Sequence, residues 1–124
     1  KEEITITLLE ATEAVDAGMY YDKVSVKLEG TELVEDWRKL QYKATIQLIT
    51  GFLKRYPNVQ GIEQAGSPTF YRKRTISDSK LDVEMSLRSQ FNLLRVVDNE
   101  RYPAWFEIEG SRYKLSIEKM NDKF

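Results

Sequence analysis

The sequence predicts an α+β fold built around one long helix, and three features predict it. Two alternating segments lie near the N-terminus. An apolar stripe at three- and four-residue steps fills the middle. A shorter helical stripe then precedes a last pair of alternating segments. Period-two alternation marks a half-buried strand, and three-to-four recurrence marks an amphipathic helix.

Ile4, Ile6 and Leu8 alternate with Thr5 and Thr7, which predicts a strand. Val15-Asp16-Ala17-Gly18 breaks it, because Asp and Gly favour turns. Met19 to Leu28 resumes extension, with Val24, Val26 and Leu28 in phase. These two strands either pair with each other or flank a loop at the edge of a larger sheet. Thr31 is placed to cap a helix, and Glu32, Glu35 and Asp36 suit its positive end. Leu33, Trp37, Leu40, Ala44 and Leu48 form the stripe of that helix, widened by Ile49, Phe52 and Leu53. Pro57 disfavours helix at the residue before it, so the helix should end near Tyr56.

Asn58 to Pro68 is a connector with Gly61 and Gly66, followed by the basic and aromatic run Phe70-Tyr71-Arg72-Lys73-Arg74. Ser77-Asp78-Ser79 is a turn. Ser86 caps a second helix to about Val97, with Leu87, Phe91, Leu94 and Val97 on its apolar side. Arg88, Asn92 and Arg95 align on the other side. After Tyr102-Pro103, Ala104 to Glu109 and Arg112 to Lys119 alternate, and Gly110-Ser111 between them suits a type II′ hairpin turn. A long apolar helix over two strands leaves apolar surface open, which calls for a further layer from more chain or another subunit.

Composition narrows the chemistry. The 124 residues suffice for one domain with a core, and 41% hydrophobic with 31% charged is a globular balance. A net charge of -1 argues against a grip on nucleic acid made mainly through phosphates. The absence of cysteine excludes a disulfide scaffold, a zinc-thiolate site and a cysteine nucleophile within these residues. The absence of histidine removes the commonest general base and the commonest metal ligand. No apolar run reaches the ~18 residues of a membrane span, and a cytoplasmic protein is expected. Lys1 stands where an initiator Met would, and reads equally as a cut end or a processed terminus.

Four stretches, in order, carry a resemblance. They are Thr7 to Gly18 with its Asp-x-Gly; Leu28-Glu29-Gly30-Thr31-Glu32-Leu33 leading into the long helix; Tyr71-Arg72-Lys73-Arg74-Thr75; and Phe91 to Val97 followed by Tyr102-Pro103-Ala104-Trp105-Phe106. Together they cover nearly the whole chain and resemble the C-terminal half of the formyltransferases that use 10-formyltetrahydrofolate. Ala104 departs from the glycine frequent in that family. A larger departure is that the family's Asn-x-His lies upstream of the Asp loop, and this chain has no His.

The resemblance implies the C-terminal part of a Rossmann-like α/β fold over residues 1–57, with a small C-terminal subdomain over 58–124. It implies Asp16 as the catalytic carboxylate and Gly18 as its loop glycine. From the residues alone, an Asp before a Gly is a simple turn residue. Tyr20, Arg72, Arg74, Asn92, Arg95 and Tyr102 are candidate substrate-binding residues; by themselves they read as solvated faces or hairpin packing. Guanidinium forks at Arg72 and Arg74 suit phosphate oxygens. The short tail is more similar to sugar N-formyltransferases, which act on nucleotide-linked 4-amino sugars, than to methionyl-tRNA formyltransferases. The expected partners are thus a nucleotide-sugar acceptor and a folate donor, with tRNA the less favoured acceptor, and a homodimer formed through the C-terminal hairpin. A chain without the Asn-x-His is expected to be inactive alone, and the alternative of another class is a non-catalytic module whose hairpin mediates dimerisation.

Overall fold

The computed structural model describes residues 3–120. In chain order the elements are β1 (Glu3–Leu9), β2 (Tyr20–Lys27), α1 (Val34–Arg55), a 3₁₀ turn (Ile76–Ser79), α2 (Leu87–Val96), β3 (Ala104–Ile108) and β4 (Ser111–Leu115). The described residues thus make a small α+β fold, with β1 paired to β2 and β3 paired to β4. The chain divides into two compact units. One runs to Glu29 and resumes over Asp36–Phe70; the other takes Gly30–Glu35 and the chain from Tyr71 onward.

In the first unit β1 and β2 are antiparallel, with Ile4 opposite Val26 and Ile6 opposite Val24. Directly opposed residues share a face, so these four make one apolar surface. A bulge between Leu8 and Leu9 ends the regular register, which bends the strand as it enters the Asp16 loop. Ala44 and Leu48 of α1 are buried. Phe52 meets Tyr21 edge-on, with ring centroids 5.1 Å apart, and Arg55 pairs with Asp22 at 3.3 Å. The C-terminal end of α1 is therefore tied to β2. The helix ends at Arg55, close to where Pro57 requires.

Its start differs from expectation. Helix begins at Val34, not at a cap on Thr31. The residues before it are held outside helical geometry: Gly30 has φ +93°, and the Glu32 carbonyl accepts a hydrogen bond from Arg95. The wide stripe is corrected as well, because Ile49 and Leu53 are exposed.

The second unit closes on Leu81, Leu94, Val97 and Ala104, with Leu93, Phe106, Leu115 and Ile117 packed against them. Ser86 caps α2 as expected, accepting from the Ser89 N–H at 3.1 Å. Leu87 is exposed, because the core contacts of α2 come from its C-terminal half. Phe106 and Tyr113 are opposed across the hairpin and stack at 5.5 Å. Lys80 bridges Trp105 in parallel, and the Leu81 N–H donates to the Trp105 carbonyl at 2.7 Å. The hairpin turn falls one residue earlier than Gly110-Ser111. Ile108 pairs with Ser111, which leaves Glu109 and Gly110 as the turn, with φ +48° and +80°. Two positive φ values are the mark of type I′, whose twist matches the strands. Among the described residues no helix is long and apolar enough to cross a membrane.

Candidate active site

The segment between β1 and β2 folds into a tight loop whose ends are joined by the Glu10 N–H and the Met19 carbonyl at 2.8 Å. Gly18 is buried at that closure. A Cβ there would sit 2.1 Å from the Glu10 carbonyl oxygen, so only glycine lets the two backbones approach this closely. Asp16 has φ +56°. Asp is one of the few residues that enters the left-handed region without a large cost, and its side chain is exposed at the loop's tip.

The loop is held from the connector. Gln64 Nε2 donates to the carbonyls of Asp16 at 2.8 Å and Gly18 at 2.6 Å. Fixing the carbonyls on either side of Ala17 holds the backbone turn that aims the Asp16 carboxylate. The connector is itself anchored, since Tyr20 and Ile62 exchange backbone hydrogen bonds at 2.9 and 2.8 Å. Tyr20 is half-buried directly after the loop, and Lys23 Nζ lies 4.0 Å from its ring centroid. In this unit the structure brings together Asp16, Gly18 and Tyr20. It adds Gln64, which sequence reasoning missed, because an isolated Gln in a non-periodic connector carries no signal.

The remaining candidates lie in the second unit and form two groups. Arg95 is buried. Its Nε donates to Asn92 Oδ1 at 2.8 Å, one NH group donates to the Glu32 carbonyl at 3.2 Å, and that same group lies 3.6 Å from the Glu32 carboxylate. Glu32 in turn accepts from the Gly30 N–H at 2.9 Å. The Arg88, Asn92 and Arg95 alignment is thus not one solvated face. Arg95 turns inward, and its guanidinium is committed to holding residues 30–32. Glu32 had looked like a helix-end acid; sequence gave no sign that it would be the buried partner of a residue 63 positions away.

Arg72, Arg74 and Tyr102 meet around the 3₁₀ turn. Arg72 grips Asp78 with both guanidinium NH groups, one of them at 3.0 Å to Oδ2. The Thr75 N–H adds a further bond to Asp78 at 2.7 Å. These bonds, the one from Arg72 first, hold the Asp78 carboxyl well below the usual carboxylate range, and Asp78 raises Arg72 in return. Arg74 reaches Ser79 Oγ at 3.4 Å, and the buried Ser79 hydroxyl donates to the Tyr102 carbonyl at 2.8 Å. Trp105 Nε1 secures the same turn through the Ile76 carbonyl at 2.9 Å. Arg72 is thereby paired with an internal carboxylate.

The architecture has solved counterparts. A methionyl-tRNA formyltransferase from Clostridium thermocellum superposes with a TM-score of 0.73 at 19% identity, over 99% of this chain and 53% of that one. The fold is a formyltransferase fold. A 4-N formyltransferase from Francisella tularensis matches with a TM-score of 0.72 at 18% identity, over 93% of this chain and 50% of its own. A Mycobacterium tuberculosis protein described as a "likely sugar N-formyltransferase" matches with a TM-score of 0.71 at 16% identity, over 98% of this chain and 55% of its own. The chain therefore spans about half the length of the solved formyltransferases it matches. No protein-family profile and no curated protein matches the sequence.

Proposed function

We propose that this chain forms part of a cytoplasmic formyltransferase that moves a formyl group from 10-formyltetrahydrofolate to the amine of a nucleotide-linked 4-amino sugar. The observation that carries the proposal is the Asp16 loop. A carboxylate sits at the tip of a left-handed turn, locked by Gln64 and closed on Gly18, in a fold shared with formyltransferases. The donor supplies an activated formyl carbon. Asp16 accepts the proton that the acceptor amine sheds as its nitrogen is acylated, directly or through one water. The chain has no His, so the histidine that the resemblance implies as the partner of that carboxylate is not among its residues. The isolated chain is then inactive.

Among acceptors, the near-zero net charge of -1 supports a small sugar over a tRNA, whose phosphates call for a basic surface. A methionyl-tRNA acceptor is the second reading, favoured by the likeness to the Clostridium thermocellum enzyme. Tyr20, which follows the Asp16 loop in the same unit, is the acceptor contact we favour within the chain, and the β3–β4 hairpin is the surface for a homodimer, whose formation sedimentation of the full-length protein reads.

The test is formyl transfer by the full-length protein from 10-formyltetrahydrofolate to a dTDP-4-amino sugar and, separately, to charged initiator tRNA. Asp16→Asn keeps a side chain that tolerates the left-handed turn while removing the base. It should lower kcat/KM by about 10²- to 10⁴-fold with little change in stability. Wild-type activity in that variant would remove Asp16 from the mechanism. Formylation of tRNA alone would replace the acceptor.

A further inference from the structure

Strand β3 is paired along one edge and only partly along the other. The two-residue turn makes Ile108 and Ser111 a hydrogen-bonded pair, and such pairs alternate along an antiparallel ladder. Phe106 and Ala104 therefore bond to β4, while Trp105 and Glu107 turn their N–H and C=O to the opposite edge. The bond from the Leu81 N–H to the Trp105 carbonyl at 2.7 Å falls on that edge. The segment at Lys80 and Leu81 thus begins to run alongside β3 in parallel.

It stops one step short of Glu107, because Gln90 takes the next residue. Gln90 Oε1 accepts from the Asp82 N–H at 2.6 Å, and its Nε2 donates to the Asp82 carbonyl at 2.9 Å. The Asp82 carboxylate is committed as well, to the Glu84 N–H at 2.9 Å. The chain turns away, and no other segment among the described residues bonds to the Glu107 N–H or C=O. An open cleft of about 390 Å³ remains, lined by Lys80, Leu81, Asp82, Val83 and Glu107. It lies wholly in the second unit, and its volume is in the range of small-molecule sites, ~300–1,000 Å³.

The cleft offers one donor and one acceptor, both on one residue. A peptide strand needs such a pair at every second residue, and here the neighbouring carbonyl, of Trp105, is already bonded to Leu81. A single planar ring with a donor beside an acceptor needs only one. Leu81 and Val83 supply apolar walls for such a ring. Lys80 supplies a positive charge at the rim, with Nζ 3.7 Å from the Glu107 carboxylate. We infer that this cleft binds a nucleobase through the Glu107 backbone N–H and C=O, with the phosphate of its nucleotide toward Lys80. The inference stands on the second unit alone, and not on Asp16, the acceptor or formyl transfer.

The test is titration of the full-length, nitrogen-15-labelled protein with uridine monophosphate and, separately, adenosine monophosphate, followed at the Glu107 amide. A saturable shift of that amide is expected with one of them, and which one distinguishes a pyrimidine from a purine ligand. Methylation that removes the donor of that base should weaken binding about tenfold, the loss of one hydrogen bond in an enclosed site. Glu107→Pro removes an N–H that faces away from β4, so the hairpin is kept, and should weaken binding by a similar factor. Glu107→Ala keeps that N–H and frees Lys80, and should bind as well as wild type or better. Val83→Trp fills the cleft from an exposed position and should abolish the shift, which keeps the inference testable if the proline variant does not fold. No saturable shift with either nucleotide, undiminished binding of the methylated base, or undiminished binding by Val83→Trp would overturn the inference. So would a loss in Glu107→Ala as large as in Glu107→Pro.

Discussion

In the second unit Leu81, Leu94, Val97 and Ala104 close a core that also buries Ser79, Glu32 and Arg95. In the first unit, among the described residues, full burial is reached by Ala44 and Leu48 of the long helix and by Gly18 of the loop. The strand residues Ile4, Ile6, Val24 and Val26 are only half-buried, and four large apolar side chains of α1, Tyr42, Ile46, Ile49 and Leu53, are exposed. The unit with the less complete core is the one that carries the candidate catalytic carboxylate. One unit is held by its own packing. The other buries fewer of its apolar side chains among the described residues.

Substitutions can break or sharpen this contrast. The largest structural effect is expected at the buried ion pair. Arg95→Ala leaves Glu32 buried without its cation, which costs about 3–5 kcal/mol, and should unfold the second unit at lower denaturant. The two tryptophans fall in different units, so fluorescence of Trp105 in a Trp37→Phe background follows the second unit alone. An unchanged midpoint would mean that the pair does not hold residues 30–32.

Next in size is a matched pair of truncations. Leu94→Ala removes a buried side chain of the closed core and should cost about 2–5 kcal/mol. Ile49→Ala removes an exposed one and should stay within about 0.5 kcal/mol. Equal costs would show that the α1 stripe is already packed in the isolated chain.

Gln64→Leu removes two hydrogen bonds to the Asp16 loop, each worth about 1 kcal/mol. Amide hydrogen exchange should accelerate between residues 10 and 19 and remain unchanged in the second unit. Full-length enzyme carrying it should lose kcat more than it gains KM, because the loop's aim is disturbed and its carboxylate is kept.

The smallest effect is electrostatic. Asp78 has its carboxyl lowered by Arg72 and Thr75. A lowered carboxyl contributes stability above the unfolded value near 3.9, and that contribution is lost as pH falls through the folded value. Asp78 is half-buried but its partner Arg72 is exposed, so solvent screening keeps the gain small. A carbon-13 NMR titration should find it ionised below the exposed carboxylates, and Arg72→Gln should move it back toward them.

Much of the secondary structure was legible because it depends on local pattern. Alternation at Ile4, Ile6 and Leu8 found β1, the stripe from Trp37 found α1, Ser86 marked the start of α2, and Pro57 marked the end of α1. The loop at Asp16 and Gly18 was legible as a turn. The hairpin turn was misplaced by one residue, because Glu109 adopts the positive φ that a sequence rule reserves for glycine or asparagine. Ile49 and Leu53 were placed on the buried side because hydrophobicity tells which residues can be covered and not whether a covering surface is present.

The sequence by itself determined the elements and their order, since propensity, capping and periodicity act over a few residues. Only the tertiary structure decided that Gln64 reaches back 48 residues to clamp the Asp16 loop. Only it turned Arg95 from a helix-face cation into the buried partner of Glu32, and set Arg72 against Asp78. Each of these depends on where two distant segments meet. A hydrogen bond or ion pair is fixed by distance and burial in space, and a single sequence carries neither.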